Sequence, residues 1–331
     1  MKREIVKQMT PFSRALRSGI RALVRCYPMH SGVMRLINVP LLKRLTSAPE
    51  VVITRLRGGE RIIVDVSDYC GRPIYYWGDY DRRVTQICVD ALSPGDYMLD
   101  IGANYGEVAL AAASRVGPEG AVHAFEPNPR IWRYLQVSAE LNGLSNLHVH
   151  NVALGEDNGT VQLAVPDGNS GAAFIQHEAG CTGEKSAKNV PVQMRNAAEF
   201  IEQLELPALS VIKLDVEGME PNILRAMSAI LKRYEPRMIV FESHETDVPF
   251  FERESVKFLK EMRYAFYQLS IARTLKTRPV LIPVLVSEDV SSGYDFIAMR
   301  QGVSVSQSGN GRQAVADSLV TPREVPSGLV I

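Results

Sequence analysis

The chain has 331 residues, 46% of them hydrophobic and 22% charged, and its 37 basic side chains balance 37 acidic ones. This excludes a fibrous or wholly disordered polymer, and it leaves no global field to draw in nucleic acid, so such an attraction would need a local patch. The cysteines, Cys26, Cys70, Cys88 and Cys181, form no CxxC pair and have no histidine at metal-ligand spacing, so neither a zinc site nor a disulfide framework is expected. Asp215, Glu217 and Glu220 offer oxygen ligands that suit magnesium or calcium, but their spacing alone does not converge them, so no metal is expected. A reducing cytoplasm is the simplest location.

No apolar run is long enough to cross a bilayer and no signal-peptide core opens the chain, so a soluble protein is expected. Residues 1–50 read as a basic, helical extension, whose first 45 residues carry ten Lys and Arg, from Lys2 to Arg44, against the single acid Glu4. The favoured arrangement packs its apolar stripe on the domain and solvates the basic face. The alternatives are a helix lying on the inner face of a membrane and a disordered arm.

Residues 51–92 read as a β and helix element: a hairpin of Val51 to Leu56 and Ile62 to Val66 around Gly58-Gly59, then a helix from Asp81 to Leu92. From 93 to 300 strand-like runs and helical patterns alternate, which argues for βαβ units and a doubly wound, Rossmann-like α/β domain. Strands are expected at Tyr97 to Ile101, Ala121 to Phe125, Leu147 to Asn151, Ser210 to Leu214 and Arg237 to Phe241. Tyr264 to Leu269 and Tyr294 to Met299 complete a seven-stranded sheet. Helices fall at Glu107 to Val116, Arg130 to Asn142, Asn196 to Leu204, Pro221 to Tyr234 and Phe250 to Met262. Glu156 to Asn189, rich in Gly and Ser, reads as a β excursion with a mobile loop near the site. Residues 301–331 read as a solvated tail.

The chemistry concentrates where the first domain strand turns into a helix, at Asp100-Ile101-Gly102-Ala103-Asn104-Tyr105-Gly106. Gly102 allows a sharp bend, and Gly106 allows a ligand or neighbouring strand to approach. The spacing is GxxxG after a carboxylate rather than the GxGxxG of a pyrophosphate site, which disfavours a nicotinamide-dependent oxidoreductase. S-adenosylmethionine has no phosphate and carries an ammonium and a sulfonium, which Asp100 can orient directly or through water. Glu126, followed by Pro127 and ending the next strand, is placed to accept hydrogen bonds from both ribose hydroxyls. Asn151 and Val152, at the third strand's end, face the expected adenine.

These residues resemble the FkbM-type family of S-adenosylmethionine-dependent methyltransferases over roughly Asp81 to Met299. The likeness rests on the turn just described, on Phe125-Glu126-Pro127-Asn128-Pro129, on Asn151-Val152-Ala153-Leu154-Gly155, and most distinctively on Ile212-Lys213-Leu214-Asp215-Val216-Glu217-Gly218-Met219-Glu220. The resemblance implies O-methylation of a hydroxyl on a sugar, glycan or other small metabolite. An N-methyltransferase and a catalytically silent interaction module are the alternatives, the first disfavoured by the lack of an Asn/Asp-Pro-Pro-Tyr motif at strand four.

In-line methyl transfer needs acceptor oxygen, methyl carbon and sulfur aligned and the hydroxyl proton removed. Asp215, Glu217 and His244 are candidates for that proton, with Lys213 pairing with Asp215 on the same side of its strand. Glu217 and Glu220 also fit a helix start, and Tyr80 could close over the cofactor or pack in the core.

Overall fold

The computed structural model describes residues 11–26, 37, 39, 50–176, 187–271, 279–290 and 294–300. The expected tail at 301–331 and residues 1–10 lie outside the described residues. Helix α1 (Pro11–Arg25) precedes a hairpin of β1 (Val51–Arg55) and β2 (Arg61–Asp65), then α2 (Gly71–Tyr76) and α3 (Arg82–Asp90). The alternating region follows as β3 (Tyr97–Ile101), α4 (Glu107–Val116), β4 (Ala121–Phe125), α5 (Pro129–Asn142) and β5 (Leu147–His150). After the excursion come α6 (Ala197–Glu202), β10 (Val211–Leu214), α7 (Glu220–Ala226), α8 (Ser228–Tyr234), β11 (Met238–Glu242), α9 (Glu254–Glu261), β12 (Tyr264–Ile271), β13 (Pro279–Pro283) and β14 (Asp295–Arg300).

The main sheet has eight strands in the order β13-β12-β14-β11-β10-β3-β4-β5. The five strands from β11 to β5 run parallel, and β14, β12 and β13 add antiparallel pairings. The seven expected strands are present. The eighth, β13, begins and ends in proline, which removes a ladder donor and is tolerated because this strand forms the sheet's edge. The expected helix from Pro221 is divided at Met227, which leaves helical geometry (φ −82°, ψ 8°).

Burial explains the apolar runs. Met98, Val211, Met238 and Val240 enter one core cluster while Leu99, Ile101, Ile212, Leu214, Ile239 and Phe241 enter the other, so alternate residues of each strand serve opposite faces. A sheet covered on both sides needs apolar residues at both parities. Successive strands leave β3 on opposite sides, toward β4 and toward β10, and the crevice at such a reversal opens beyond the carboxyl ends of those strands.

The excursion forms a separate four-stranded sheet in which β6 (Ala153–Gly155) pairs with β9 (Ala187–Asn196), and β9 with β7 (Gly159–Pro166), which carries β8 (Phe174–Ile175). Its expected mobile loop falls mostly on 177–186, outside the described residues.

The arrangement expected for α1 is inverted in part. Val24 is buried, but so is Arg17, which pairs with Glu50. Arg21 donates to the Tyr75 carbonyl (3.1 Å) and to Thr54 Oγ1 (2.6 Å), and its guanidinium lies over the Tyr75 ring. Arg25 donates to the Arg55 carbonyl at 2.6 Å, whereas Leu23 is 77% exposed. The arginines dock the helix because backbone and hydroxyl acceptors at the hairpin satisfy them, so these three are not the solvated basic face of a membrane helix. No helix among the described residues is long and apolar enough to cross a membrane. Arg21→Ala should destabilise the protein by about 1–3 kcal/mol in chemical denaturation, with Leu23→Ser near neutral; the reverse order would contradict this docking.

Candidate active site

Sheet register assembles the centre of the site. Lys213 on β10 lies opposite Asp100 on β3, and Asp215 follows two residues later on the same side. Lys213 Nζ lies 3.3 Å from Asp100 Oδ1 and 3.2 Å from Asp215 Oδ2, and it donates to the Gly102 carbonyl at 2.9 Å. Burial works against the ammonium, but Asp100 and Asp215 outweigh it, so Lys213 titrates above the ordinary lysine value. The expected pairing with Asp215 is present. Asp100, however, has no exposed side-chain surface while that of Asp215 is 39% exposed, so Asp100 holds Lys213 rather than presenting its carboxylate to a ligand.

The glycine turn fits closely around this pair. A Cβ on Gly102 (φ +80°) would collide with the Asp215 carbonyl oxygen, so this glycine lets the two strand ends meet. Gly106 (φ +86°) faces Leu135 of α5, and its missing Cβ admits that helix rather than a ligand or strand. Asn104 is left-handed (φ +49°), and its N–H donates to Glu126 Oε2 at 2.8 Å. The Asn128 N–H donates to Glu126 Oε1 at 2.8 Å. Burial pushes the Glu126 carboxyl up to about 7 against these two N–H donors.

Two adjoining cavities open here. The first, about 170 Å³, is lined by Glu126, Pro127, Phe125, Val152, Leu154 and Ile175 among others. Its apolar walls suit a purine, a buried acid suits ribose hydroxyls, and Asp215 at its margin suits an ammonium; this donor chemistry fits S-adenosylmethionine. Asn151 does not line it, because its amide donates to the Glu126 and Pro127 carbonyls (2.9 and 3.0 Å) and fixes their loop. The second cavity, about 340 Å³, is lined by Ala103, Gly106, Tyr69, Asp81, Arg83 and Asp295 among others. Both cavities share Tyr80, Gly102, Asn104, Asp215 and Glu242. The excursion closes over the turn through Ser170, whose Oγ lies 2.9 Å from Asp68 Oδ1 and 3.3 Å from Asn104 Oδ1.

The remaining candidates separate by geometry. Glu220 accepts from the Val216 and Gly218 N–H groups (3.1 and 3.0 Å) and caps its own turn. Glu217 (φ +51°) lines the first cavity, and burial followed by Glu242 and Asp215 pushes its carboxyl up to about 7. His244 Nε2 lies 3.0 Å from Glu242 Oε2 and 3.8 Å from Glu217 Oε2; hydrogen bonding to Glu242 raises it to about 9. An imidazolium at neutral pH has no lone pair for a proton, and His244 lines neither cavity, so the expectation of a neutral-pH base there is corrected. Glu217, Glu242 and His244 present ligand atoms within 4.8 Å of one another and could hold a cation between them, although no metal was expected. Glu242 went unmarked in the sequence, although it ends a strand next to β10, the same signal that marked Asp100 and Glu126.

The model of the methyltransferase FkbM domain matches residues 100–269. Similar proteins include Methyltransferase 1 of Beauveria bassiana, 26% identical over 156 residues, covering 42% of this chain and 62% of that one, less than two thirds of its length. The hexuronic acid methyltransferase AglP of Haloferax volcanii is 24% identical over 211 residues, covering 61% and 81%. The 31-O-demethyl-FK506 methyltransferase FkbM of Streptomyces tacrolimicus is 26% identical over 181 residues, covering 47% and 68%. Among solved structures, an S-adenosylmethionine-dependent O-methyltransferase from Thermotoga maritima resembles 78% of this chain and 81% of its own, with a TM-score of 0.37 and 14% identity.

Behind the turn, Glu107 accepts from the Tyr80 N–H (2.6 Å), the Asp81 N–H (2.9 Å) and Thr85 Oγ1 (3.0 Å), fixing the loop that borders the second cavity. Asp79 hydrogen-bonds Glu107; burial raises both carboxyls, and that of Asp79 is held well above the usual range by burial and then by Glu107. An acid raised on folding stabilises fully below its unfolded value of 3.8 and loses that contribution as pH climbs toward its folded value. The thermal midpoint of the parent protein should therefore fall above pH 4, and Asp79→Asn should flatten that fall; equal slopes in the two proteins would exclude this contribution.

Proposed function

Because this chain belongs to the methyltransferase FkbM family, we propose that it methylates a hydroxyl group on a sugar, glycan or other small metabolite. It is an S-adenosylmethionine-dependent methyltransferase. An oxygen acceptor is supported by the relative named for a 31-O position, and a sugar acceptor by the one named for a hexuronic acid. The observation that carries it is Asp215, half-exposed at the junction of two cavities and fixed by a buried ammonium.

When bound, S-adenosylmethionine supplies a methyl carbon activated by its sulfonium. In the proposed arrangement, Glu126 accepts the ribose hydroxyls with lone pairs not used by the two backbone N–H groups, while Phe125, Val152 and Leu154 pack the purine. Gly102 to Asn104 border the amino-acid end with their backbone. Lys213 holds Asp215 oriented toward the junction, where it positions the acceptor hydroxyl. Glu217, titrating near 7, takes the hydroxyl proton, since a base tuned to the working pH combines availability with proton affinity.

Calorimetric titration with S-adenosylhomocysteine should show saturable binding, weakened roughly 10- to 100-fold by Glu126→Ala; binding unaffected by that change would place the cofactor elsewhere. With an acceptor in hand, turnover should fall on the acid side with an apparent pKa near 7 as Glu217 gains its proton. Glu217→Gln should lower turnover at least ~100-fold and remove that limb, whereas an unchanged profile would assign the base elsewhere.

A further inference from the structure

We propose that the second cavity receives a neutral or amino-bearing polyol and rejects acceptors carrying a carboxylate or phosphate. This rests on the methyltransferase reading and concerns the charge of the acceptor.

The argument begins with the cations. Arg83 is held between Asp81 (2.5 Å) and Asp295 (2.7 Å), and Lys213 between Asp100 and Asp215. His244, just outside the lining, is committed to Glu242. Five acids line this cavity, Asp81, Glu107, Asp215, Glu242 and Asp295, against two cations, Arg83 and Lys213, while Asp100 lies buried behind Lys213. Among the described residues the lining offers no cation without an acid partner.

An anionic acceptor entering this cavity would lose hydration and meet like charge with no guanidinium or ammonium free to receive it, a repulsion strengthened where the walls exclude water. A hydroxyl or ammonium has the opposite experience, because ionised carboxylates accept strong hydrogen bonds from both. The rim adds a second element. Tyr69 and Tyr80 line the cavity, meet edge to face with centroids 6.3 Å apart, and each retain exposed surface. Aromatic rings beside hydrogen-bond acceptors match a sugar, whose C–H face is apolar and whose edge donates hydroxyls. Any shared chemistry with the hexuronic acid methyltransferase AglP would therefore stop short of an acidic acceptor.

The test uses the full chain with S-adenosylmethionine and matched methyl glycosides of glucose, glucosamine, glucuronate and glucose 6-phosphate, with methyl transfer read by mass spectrometry. S-adenosylhomocysteine binding is measured in parallel. Transfer to the neutral or amino glycoside, exceeding that to the acidic ones by roughly tenfold or more, is expected. Asp295→Asn, which releases one of the two acids on Arg83, should narrow the ratio. Equal or preferred use of glucuronate or the phosphate, or no transfer to the neutral and amino members while S-adenosylhomocysteine still binds, would overturn the inference. Loss of S-adenosylhomocysteine binding would instead strike the methyltransferase reading on which it rests.

Discussion

The ammonium of Lys213 occupies a position that water would contest almost anywhere else in the chain. It lies inside the sheet, beside a carboxylate with no exposed surface, and it remains there because Asp100, Asp215 and the Gly102 carbonyl together replace its hydration. Such a group is costly to bury and more costly to leave unpaired, about 3–5 kcal/mol when one partner of a buried pair is removed. The arrangement therefore fixes the relative positions of the β3 and β10 ends, and with them the glycine turn and the one acid of the two that reaches the cavities.

The rest of the site follows from that fixed point. With the Asp215 backbone pressed against Gly102, only glycine fits the turn, and the chain leaves it toward Asn104, whose N–H is delivered to Glu126. Glu126 in turn gathers the Asn128 N–H, while Asn151 ties down the carbonyls on either side of the Glu126–Pro127 bond. Side chains thus hold backbone and backbone holds side chains across three neighbouring strand ends, a preorganisation suited to aligning reactants whose chemistry is largely supplied by the cofactor. The excursion supplies cover by placing Ser170 against Asp68 and Asn104.

The parts legible in the sequence are those governed by short-range periodicity. Apolar runs marked the strands, and Gly102 with Glu126 marked two of the strand ends that matter. β13 escaped notice because its bounding prolines argue against a strand unless the strand is known to lie at an edge. The division at Met227 and the inward-facing arginines of α1 escaped for a related reason: helical spacing gives a face its composition but does not say what the face will meet. His244 illustrates the electrostatic version. In a linear reading a histidine titrates near neutrality, and only the approach of Glu242 makes it a persistent cation.

The sequence by itself determined the βαβ order, the strand ends at which chemistry-bearing residues sit, and membership in a methyltransferase family, because these depend on local pattern and on motifs contiguous along the chain. Tertiary structure alone decided that Asp100 is buried beneath the site while Asp215 faces it, that Gly106 makes room for Leu135 rather than for a ligand or a strand, and that Glu242 and Asp295 join Asp81 around one cavity. Those outcomes turn on burial and on distances between residues far apart in the chain. Charge, pKa and access are properties of the assembled surroundings rather than of the residue type.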